Sequence, residues 1–280
     1  MGRWRESAQC AVMLTFDVDG ETLWLSGDEA RLNQPGMLSQ GTYGARIGVP
    51  LILNLLKKYG IKGTFFIPGW TITHHTKSLV SIVEHGHEIG HHGWLHEWTT
   101  MLTREQEEEI LEKGLTALRE LTGVDPVGYR SPAWEFSTNT LDLLQERNFL
   151  YSSNMMSHFL PWLHPDSGII ELPVSWVLDD APFFLFGPGR NNRPIHSAED
   201  VFQVWMEEFR GIYEYGGLFN LTMHPQIIGR PGRMLMLDRL VNEISRFPEV
   251  WWATGREIAE YWMQHGDADP ISGASLEPPH

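Results

Sequence analysis

Short apolar runs alternate with longer amphipathic stretches along most of the chain. Residues 11–16 are almost wholly apolar and stop at Asp17-Val18-Asp19-Gly20, the profile of a buried strand that delivers two carboxylates at its C-terminal end. Residues 47–59 show helical spacing through Val49, Ile52, Leu53 and Leu56, with Gly60 as a stop signal. A second strand is expected at 64–67, the end of a helix at 78–85 before Gly86, and a short strand at 87–91 that opens into a histidine-rich loop. Thr103-Arg104-Glu105-Gln106 has the form of a capping box and predicts an amphipathic helix to about residue 122.

The alternation continues to the C-terminal end. A strand end is expected at 128–129, a helix from Ser137 to Arg147, a strand at 169–172, a helix at 198–215 and a strand at 218–223 that leads into His224-Pro225. A helix near 234–246 and a strand at 250–253 precede Thr254-Gly255-Arg256-Glu257, which predicts the cap of a last helix. Residues 21–45, rich in Gly, Ser and Asn, are expected to form a long loop over a site or a partner. The Pro-, Gly- and Asp-rich tail at 266–280 is expected to be disordered, leaving a core of about residues 11–265. About seven strands alternating with helices, without a repeat or a linker, predict an α/β fold in one domain over residues 1–280. Its parallel sheet would close into a TIM-like (β/α) barrel. In such a barrel the strand C-termini share one rim, so Asp17, Asp19, His92, His96, Arg130 and His224 are expected to meet there.

Composition narrows the partners. A hydrophobic content of 42% with 11% aromatic residues fits a large core, and a net charge of −15 argues against nucleic acid and anionic membranes. The one cysteine, Cys10, permits no intramolecular disulfide, and the first residues lack the apolar stretch of a secretory signal. No apolar run reaches transmembrane length. The expectation is a cytoplasmic protein.

His92-Gly93-Trp94-Leu95-His96 is the strongest chemical signal, because histidines four apart can present two imidazoles to one ion from a helix or a tight loop. By itself the pair equally describes a surface turn. Asp17 and Asp19 shift the balance, since a buried strand has little use for two carboxylates unless a cation answers their charge. One carboxylate completes a His-His-Asp set, and the other takes a proton from water. The alternative is a pair of aspartates that cap the loop. Such nitrogen and oxygen donors accept zinc, cobalt, nickel or manganese.

Thr15-Phe16-Asp17-Val18-Asp19-Gly20, His92-Gly93-Trp94-Leu95-His96, Gly128-Tyr129-Arg130-Ser131-Pro132 and Leu221-Thr222-Met223-His224-Pro225 stand in an order that resembles the polysaccharide deacetylase family (carbohydrate esterase family four). The likeness runs from about residue 11 to 262. It implies a distorted α/β barrel that hydrolyses amide bonds with one divalent metal ion, usually zinc. Position by position, it implies Asp17 as general base and Asp19, His92 and His96 as metal ligands. Arg130 resembles the arginine that orients the base, and His224 the acid that protonates the leaving nitrogen. The chain departs from the usual motif in one respect: Val18 separates aspartates that are ordinarily adjacent. A homo-oligomer is also implied.

Trp134-Glu135-Phe136-Ser137 and the segment from Ser175 to Pro182 differ from the ordinary deacetylase pattern. They resemble a subgroup with cyclic imide hydrolases, allantoinase-like enzymes and a peptidoglycan deacetylase-like protein. Trp134 and Glu135 are candidates to line a substrate pocket, with Phe136, Trp176, Phe183 and Phe184 as further aromatic candidates. Asp179 and Asp180 are candidates to orient Arg130 or His224, or to cap the following turn. His85, His87 and His91 read as structural, His74 and His75 as solvated, and Cys10 as a core residue. The expected reaction is hydrolysis of a cyclic imide, a ureide or another small amide. N-deacetylation of a glycan or peptidoglycan is the alternative within the same chemistry. A non-catalytic metal- or sugar-binding barrel and a single-metal deaminase are alternatives outside it.

Overall fold

The computed structural model describes residues 4–26, 29–186 and 194–266, so the tail expected to be disordered lies almost wholly outside the described residues. The first half of the chain forms β1 (Cys10–Asp17), α1 (Thr22–Leu25), α2 (Pro35–Tyr43), a π-helical turn (Gly44–Gly48), α3 (Val49–Tyr59), β2 (Thr64–Ile67), α4 (Gly69–Glu84), β3 (Glu88–His91), α5 (Arg104–Thr122) and β4 (Gly128–Tyr129). The second half forms α6 (Thr140–Glu146), β5 (Tyr151–Ser152), β6 (Trp162–Leu163), β7 (Ile170–Glu171), α7 (Ala181–Phe184), α8 (Ala198–Tyr215), β8 (Leu218–Met223), α9 (Pro225–Ile228), α10 (Pro231–Ile244), β9 (Val250–Trp252) and α11 (Gly255–His265).

The sheet runs β6-β7-β5-β4-β3-β2-β1-β8, with β9 also on β1. Only the β6–β7 pair is antiparallel. β1 is the hub. It pairs β8 from Ala11 opposite Leu218 to Phe16 opposite Met223, meets β2 through Thr15, Phe16 and Asp17, and meets β9 through Cys10, Ala11 and Val12. The chain after β7 returns to β8 through a parallel bridge between Asp179 and Thr222, which curls the sheet into a distorted barrel. Below that bridge the seam holds a cavity of about 530 Å³ lined by Phe159, Pro173, Leu178, Ile212, Tyr215 and Asn220 among others.

All eight residues of β1 are buried, as expected of a strand covered on both faces. The period of two then divides them. Cys10, Val12, Leu14, Phe16 and Val18 pack into the core shared with α3, α8 and α10, whereas Ala11 and Met13 face the inside of the curl. Thr15, Asp17 and Asp19 continue the inward row, which becomes polar only near the rim. The intervening Val18 is therefore a packing residue, and the spacing of two keeps both aspartates on one face. The predicted capping boxes at Thr103 and Thr254 both form, and Gly60 closes α3 with a left-handed φ of 67°.

Residues 21–45 correct the expectation of a long loop: α1, a 3-10 turn at Glu29–Asn33 and α2 occupy most of them and lead directly into the π-helical turn. The docking face of this stretch is made of glycines, which apolar periodicity does not register. A Cβ on Gly41 would lie 2.4 Å from the Gly20 carbonyl, and one on Gly48 would lie 2.2 Å from the Pro225 carbonyl oxygen. Backbone thus packs on backbone where the Asp19 and His224 loops leave the sheet. Two short strands, β5 and β6, also escaped pattern reading because two residues carry no period.

No helix among the described residues is long and apolar enough to cross a membrane. Gly48→Ala is expected to cost about 1–3 kcal/mol by overpacking, read as a lower midpoint in thermal or urea unfolding. Gly36→Ala, in the same helical stretch with nothing within 4 Å of the added carbon, should be neutral or raise the midpoint slightly.

Candidate metal centre and active site

Because the strands around β1 are parallel, their C-terminal ends share one rim and bring together residues distant in sequence. Asp19 follows β1, His92 and His96 follow β3, Arg130 follows β4, Ser153 and Asn154 follow β5, and His224 follows β8. All of these side chains are buried.

Ligand-type atoms of Asp19, His92 and His96 all lie within 4.8 Å of one another. Asp19 Oδ1 is 3.3 Å from His92 Nε2 and 3.9 Å from His96 Nε2. The two histidines sit on a tight loop, not a helix. Gly93 takes φ 75° and His96 φ 58°, and the Glu97 carboxylate accepts the Trp94 and Leu95 backbone N–H groups. A left-handed histidine is strained, and such strain is retained where the surroundings hold a side chain to a task. The Asp19 backbone is held equally firmly, its carbonyl accepting hydroxyl hydrogens from Thr22 and Thr71, each at 2.7 Å.

The hydrogen bonds around the cluster identify the chemistry it lacks. His92 Nδ1 is 2.7 Å from the Arg130 carbonyl oxygen, which can only accept. In the neutral ring Nδ1 therefore carries the hydrogen, and Nε2 turns a lone pair toward the Asp19 carboxylate. Asp19 Oδ1 and His96 Nδ1 are buried without a hydrogen-bond partner. Burial opposes charge on Asp19, but His96, His92 and His224 outweigh it and hold the carboxyl at about 2. Burial lowers His96 to about 4, so its ring is neutral at pH 7. For His92, burial is outweighed by Asp19 and Asp17, which draw a proton onto the ring. The space between the two residues thus favours positive charge. An anionic carboxylate, a neutral imidazole and a second imidazole with its lone pair directed inward fit a divalent ion of the zinc type.

Two ion pairs flank the cluster. On one side Arg130, fully buried, donates from Nη1 to Asp17 Oδ1 and to Thr15 Oγ1, both at 2.8 Å, and from Nη2 to Ser153 Oγ at 2.9 Å. Its guanidinium lies over the Phe66 ring, 4.3 Å from the centroid. On the other side His224 Nδ1 donates to Asp180 Oδ1 at 2.6 Å, and the His224 backbone N–H donates to Asp180 Oδ2 at 3.0 Å. Burial works against the imidazolium, yet Asp180 and Asp179 more than offset it and raise the His224 pKa well above its ordinary value. Burial pushes both carboxyls up in turn. His224 Nε2 faces the cluster, 3.8 Å from Asp19 Oδ2.

The alternatives for Asp179 and Asp180 thus separate. Asp180 is the hydrogen-bond partner of His224, whereas Asp179 Oδ1 accepts the Ala181 backbone N–H at 2.7 Å at the start of α7. Neither is bonded to Arg130. Trp134 is buried in a left-handed turn, φ 58°, and packs on Trp176 with ring centroids 4.4 Å apart. Glu135 has an exposed side chain and contributes its backbone carbonyl, which accepts from Ser131 Oγ. Phe184 is a core residue.

Of the lesser histidines, His91 is structural: fully buried, it donates to the Leu111 carbonyl and accepts the Gly93 N–H at the start of the ligand loop. His75 differs from the expectation of a solvated side chain. A kink in α4 turns it onto Glu21, with Nε2 2.7 Å from Oε2. Burial pushes the Cys10 thiol up to about 12, consistent with an inert core residue. Sequence reasoning missed Ser153, Asn154 and Gln226. The first two follow a strand too short to read, and Gln226 had only its place after His224-Pro225 to mark it.

Comparison with known proteins identifies the family. Residues 6–151 match the family model for polysaccharide deacetylases, a stretch that contains Asp17, Asp19, His92, His96 and Arg130. The peptidoglycan deacetylase of Helicobacter pylori is 32% identical over 89% of this chain and 94% of its own. A crystal structure from Mycobacterium smegmatis, assigned to the polysaccharide deacetylases, superposes with a TM-score of 0.92 at 38% identity, covering 97% of this chain and 96% of the other. The Puue allantoinase shares the fold, with a TM-score of 0.84 at 22% identity over 95% of each chain. The chain belongs to the polysaccharide deacetylase family, whose chemistry is hydrolysis of carbon–nitrogen bonds.

A divalent ion held by Asp19, His92 and His96 would occupy a site that exists only in the folded chain, so added zinc is expected to stabilise the fold. At a free concentration one hundred times the Kd, the gain is about 2.7 kcal/mol, read as a higher melting midpoint that a chelator reverses. His92→Ala should abolish the zinc-dependent part of that rise.

Proposed function

We propose that this protein is a metal-dependent hydrolase of carbonyl–nitrogen bonds whose substrate is a small cyclic imide, ureide or other small amide. The observation that carries the reading is the placement of an Asp-His-His cluster between two oppositely built pairs, Asp17–Arg130 and His224–Asp180. Asp19, His92 and His96 would hold the ion. When bound, a divalent ion polarises the carbonyl and makes a water acidic near neutral pH.

The rest of the chemistry falls to the chain. Arg130 occupies Asp17 Oδ1, which leaves Oδ2 to take a proton from the attacking water. Arg130 also fixes the buried Asp17 carboxylate in orientation, with Thr15 and Ser153 holding the guanidinium in turn. The water oxygen bonds to the carbonyl carbon and the carbon–nitrogen bond breaks. His224 supplies the proton that lets the nitrogen leave, donating from Nε2 while Asp180 holds Nδ1–H. A binding module would need neither the base nor the acid.

The enclosure of the rim favours a small substrate. The buried fraction is high throughout: Asp19 is 0% exposed, Asp17 2%, His96 6% and His224 8%. The glycine-faced helical stretch also packs against the loops that carry Asp19 and His224. Groups so little exposed are reached more readily by a ring amide than by a polymer chain. Likeness to the Helicobacter pylori peptidoglycan deacetylase supports a second reading, N-deacetylation of a glycan.

Assays of the zinc-loaded protein on succinimide, hydantoin and allantoin, beside N-acetylglucosamine oligomers, separate the two readings. Ring opening of at least one small substrate is expected, and turnover of the oligomers alone would sink the small-ring reading. Asp17→Asn should lose about 10²–10⁴-fold in kcat while still binding zinc. Undiminished turnover would remove Asp17 from the role of base. Because His224 acts protonated and its pKa is raised, activity should fall on the alkaline side. Asp180→Asn removes the carboxylate that holds the proton, so that alkaline limb should move to lower pH. An unmoved limb would mean that His224 is not the acid.

A further inference from the structure

Gln226 is 4% exposed and lies in α9, the single helical turn that His224 begins. Its Nε2 donates to Asp19 Oδ2 at 3.2 Å. Its Oε1 is buried with no hydrogen-bond partner. Reversing the amide would set one oxygen against another, so only this orientation is compatible with the anionic carboxylate. A buried amide that leaves its oxygen unpaired costs stability, which a side chain present only to fill space would not incur.

The two oxygens of Asp19 are treated differently. Oδ1 faces His92 Nε2 and His96 Nε2 and has no donor. Oδ2 receives the Gln226 amide and lies 3.8 Å from His224 Nε2. Carboxylate rotation would exchange these environments, and the Gln226 bond opposes it. The side chain is itself pressed from behind. A Cβ on Gly44 of the π-helical turn would lie 2.8 Å from the Gln226 backbone nitrogen and 3.0 Å from Oε1. The α9 turn is closed by the Ile227 and Ile228 N–H groups on the His224 carbonyl, at 2.7 and 2.8 Å.

We infer that Gln226 is a positioning residue for the metal centre, which reserves Oδ2 of Asp19 for the amide and presents Oδ1 alone to the ion. This rests on the assignment of Asp19, His92 and His96 as the ligand set. It also ties the ligand to the proton donor, since Gln226 and His224 ride on one turn of backbone.

The test is Gln226→Met, which keeps length and apolar bulk but removes the donor, with Gln226→Leu as the second variant should the first fail to fold. Zinc affinity is measured by competition with a chromophoric chelator, alongside apo-protein melting and near-ultraviolet circular dichroism. The visible d–d bands of the cobalt-loaded protein are recorded as well. The expected result is an affinity about 10–100-fold weaker with an intact apo fold. Cobalt bands should be altered, because the freed carboxylate changes how it meets the ion. Zinc affinity within about threefold of the wild type, or unchanged cobalt bands, would overturn the inference while leaving the ligand assignment standing. A wild-type chain that takes up no zinc would overturn the ligand assignment, and the inference with it.

Discussion

Asp19 is an anion with no access to water, and two imidazole nitrogens stand beside it where hydrogen-bond donors would normally be. Concentrating unshared electron pairs in a dry site is unfavourable unless a cation answers them, and much of the surrounding architecture serves to prevent the site from relaxing. Thr22 and Thr71 hold the Asp19 backbone, and the Arg130 carbonyl holds the His92 ring. Glu97 braces the loop that keeps His96 in a left-handed conformation. Each bond removes one way in which the cluster could open or turn away. The result is a site whose donor atoms are fixed by the chain itself, which is what preorganised catalysis requires.

The flanking pairs apply the same physics in opposite directions. The always-charged guanidinium of Arg130 is the ion-pair partner of the Asp17 carboxylate. In the other pair the carboxylate is the partner that tunes, since Asp180 faces the His224 imidazole and raises its pKa. In the proposed reaction the first pair supplies the proton acceptor and the second the proton donor. Arg130 is shared between them in a further sense: its side chain holds Asp17 while its backbone carbonyl sets the tautomer of His92. A change at residue 130 that moved the backbone would disturb both the base and the metal centre.

Backbone-on-backbone packing explains how the loops that follow two neighbouring strands, β1 and β8, are held together at the rim. The β1–Asp19 loop and the β8–His224 loop are both covered by the stretch that contains Gly41, Gly44 and Gly48. With no side chains in between, their separation is set by main-chain contact, which is stiffer than contact through flexible side chains. The π-helical turn falls at that contact, as such turns often do near functional sites.

Much of this was legible from residue order alone. The alternation of apolar runs and amphipathic stretches determined the α/β class, because burial on a sheet and on a helix leaves different periods. The placement of Asp17, Asp19, His92, His96, Arg130 and His224 after those runs determined that they would share a rim. Periodicity is blind where an element is very short or its docking face lacks side chains, hence the missed β5 and the misread glycine-faced helices. Hydrogen-bond direction is equally invisible in one dimension. Only the tertiary structure decided that Asp180 rather than Asp179 holds His224, that His75 meets Glu21, and that Gln226 reaches Asp19. Composition and order specify which groups a chain carries and which face of an element they occupy. Which lone pair meets which proton is decided at distances of about 3 Å, by the packing of segments as far as 207 residues apart.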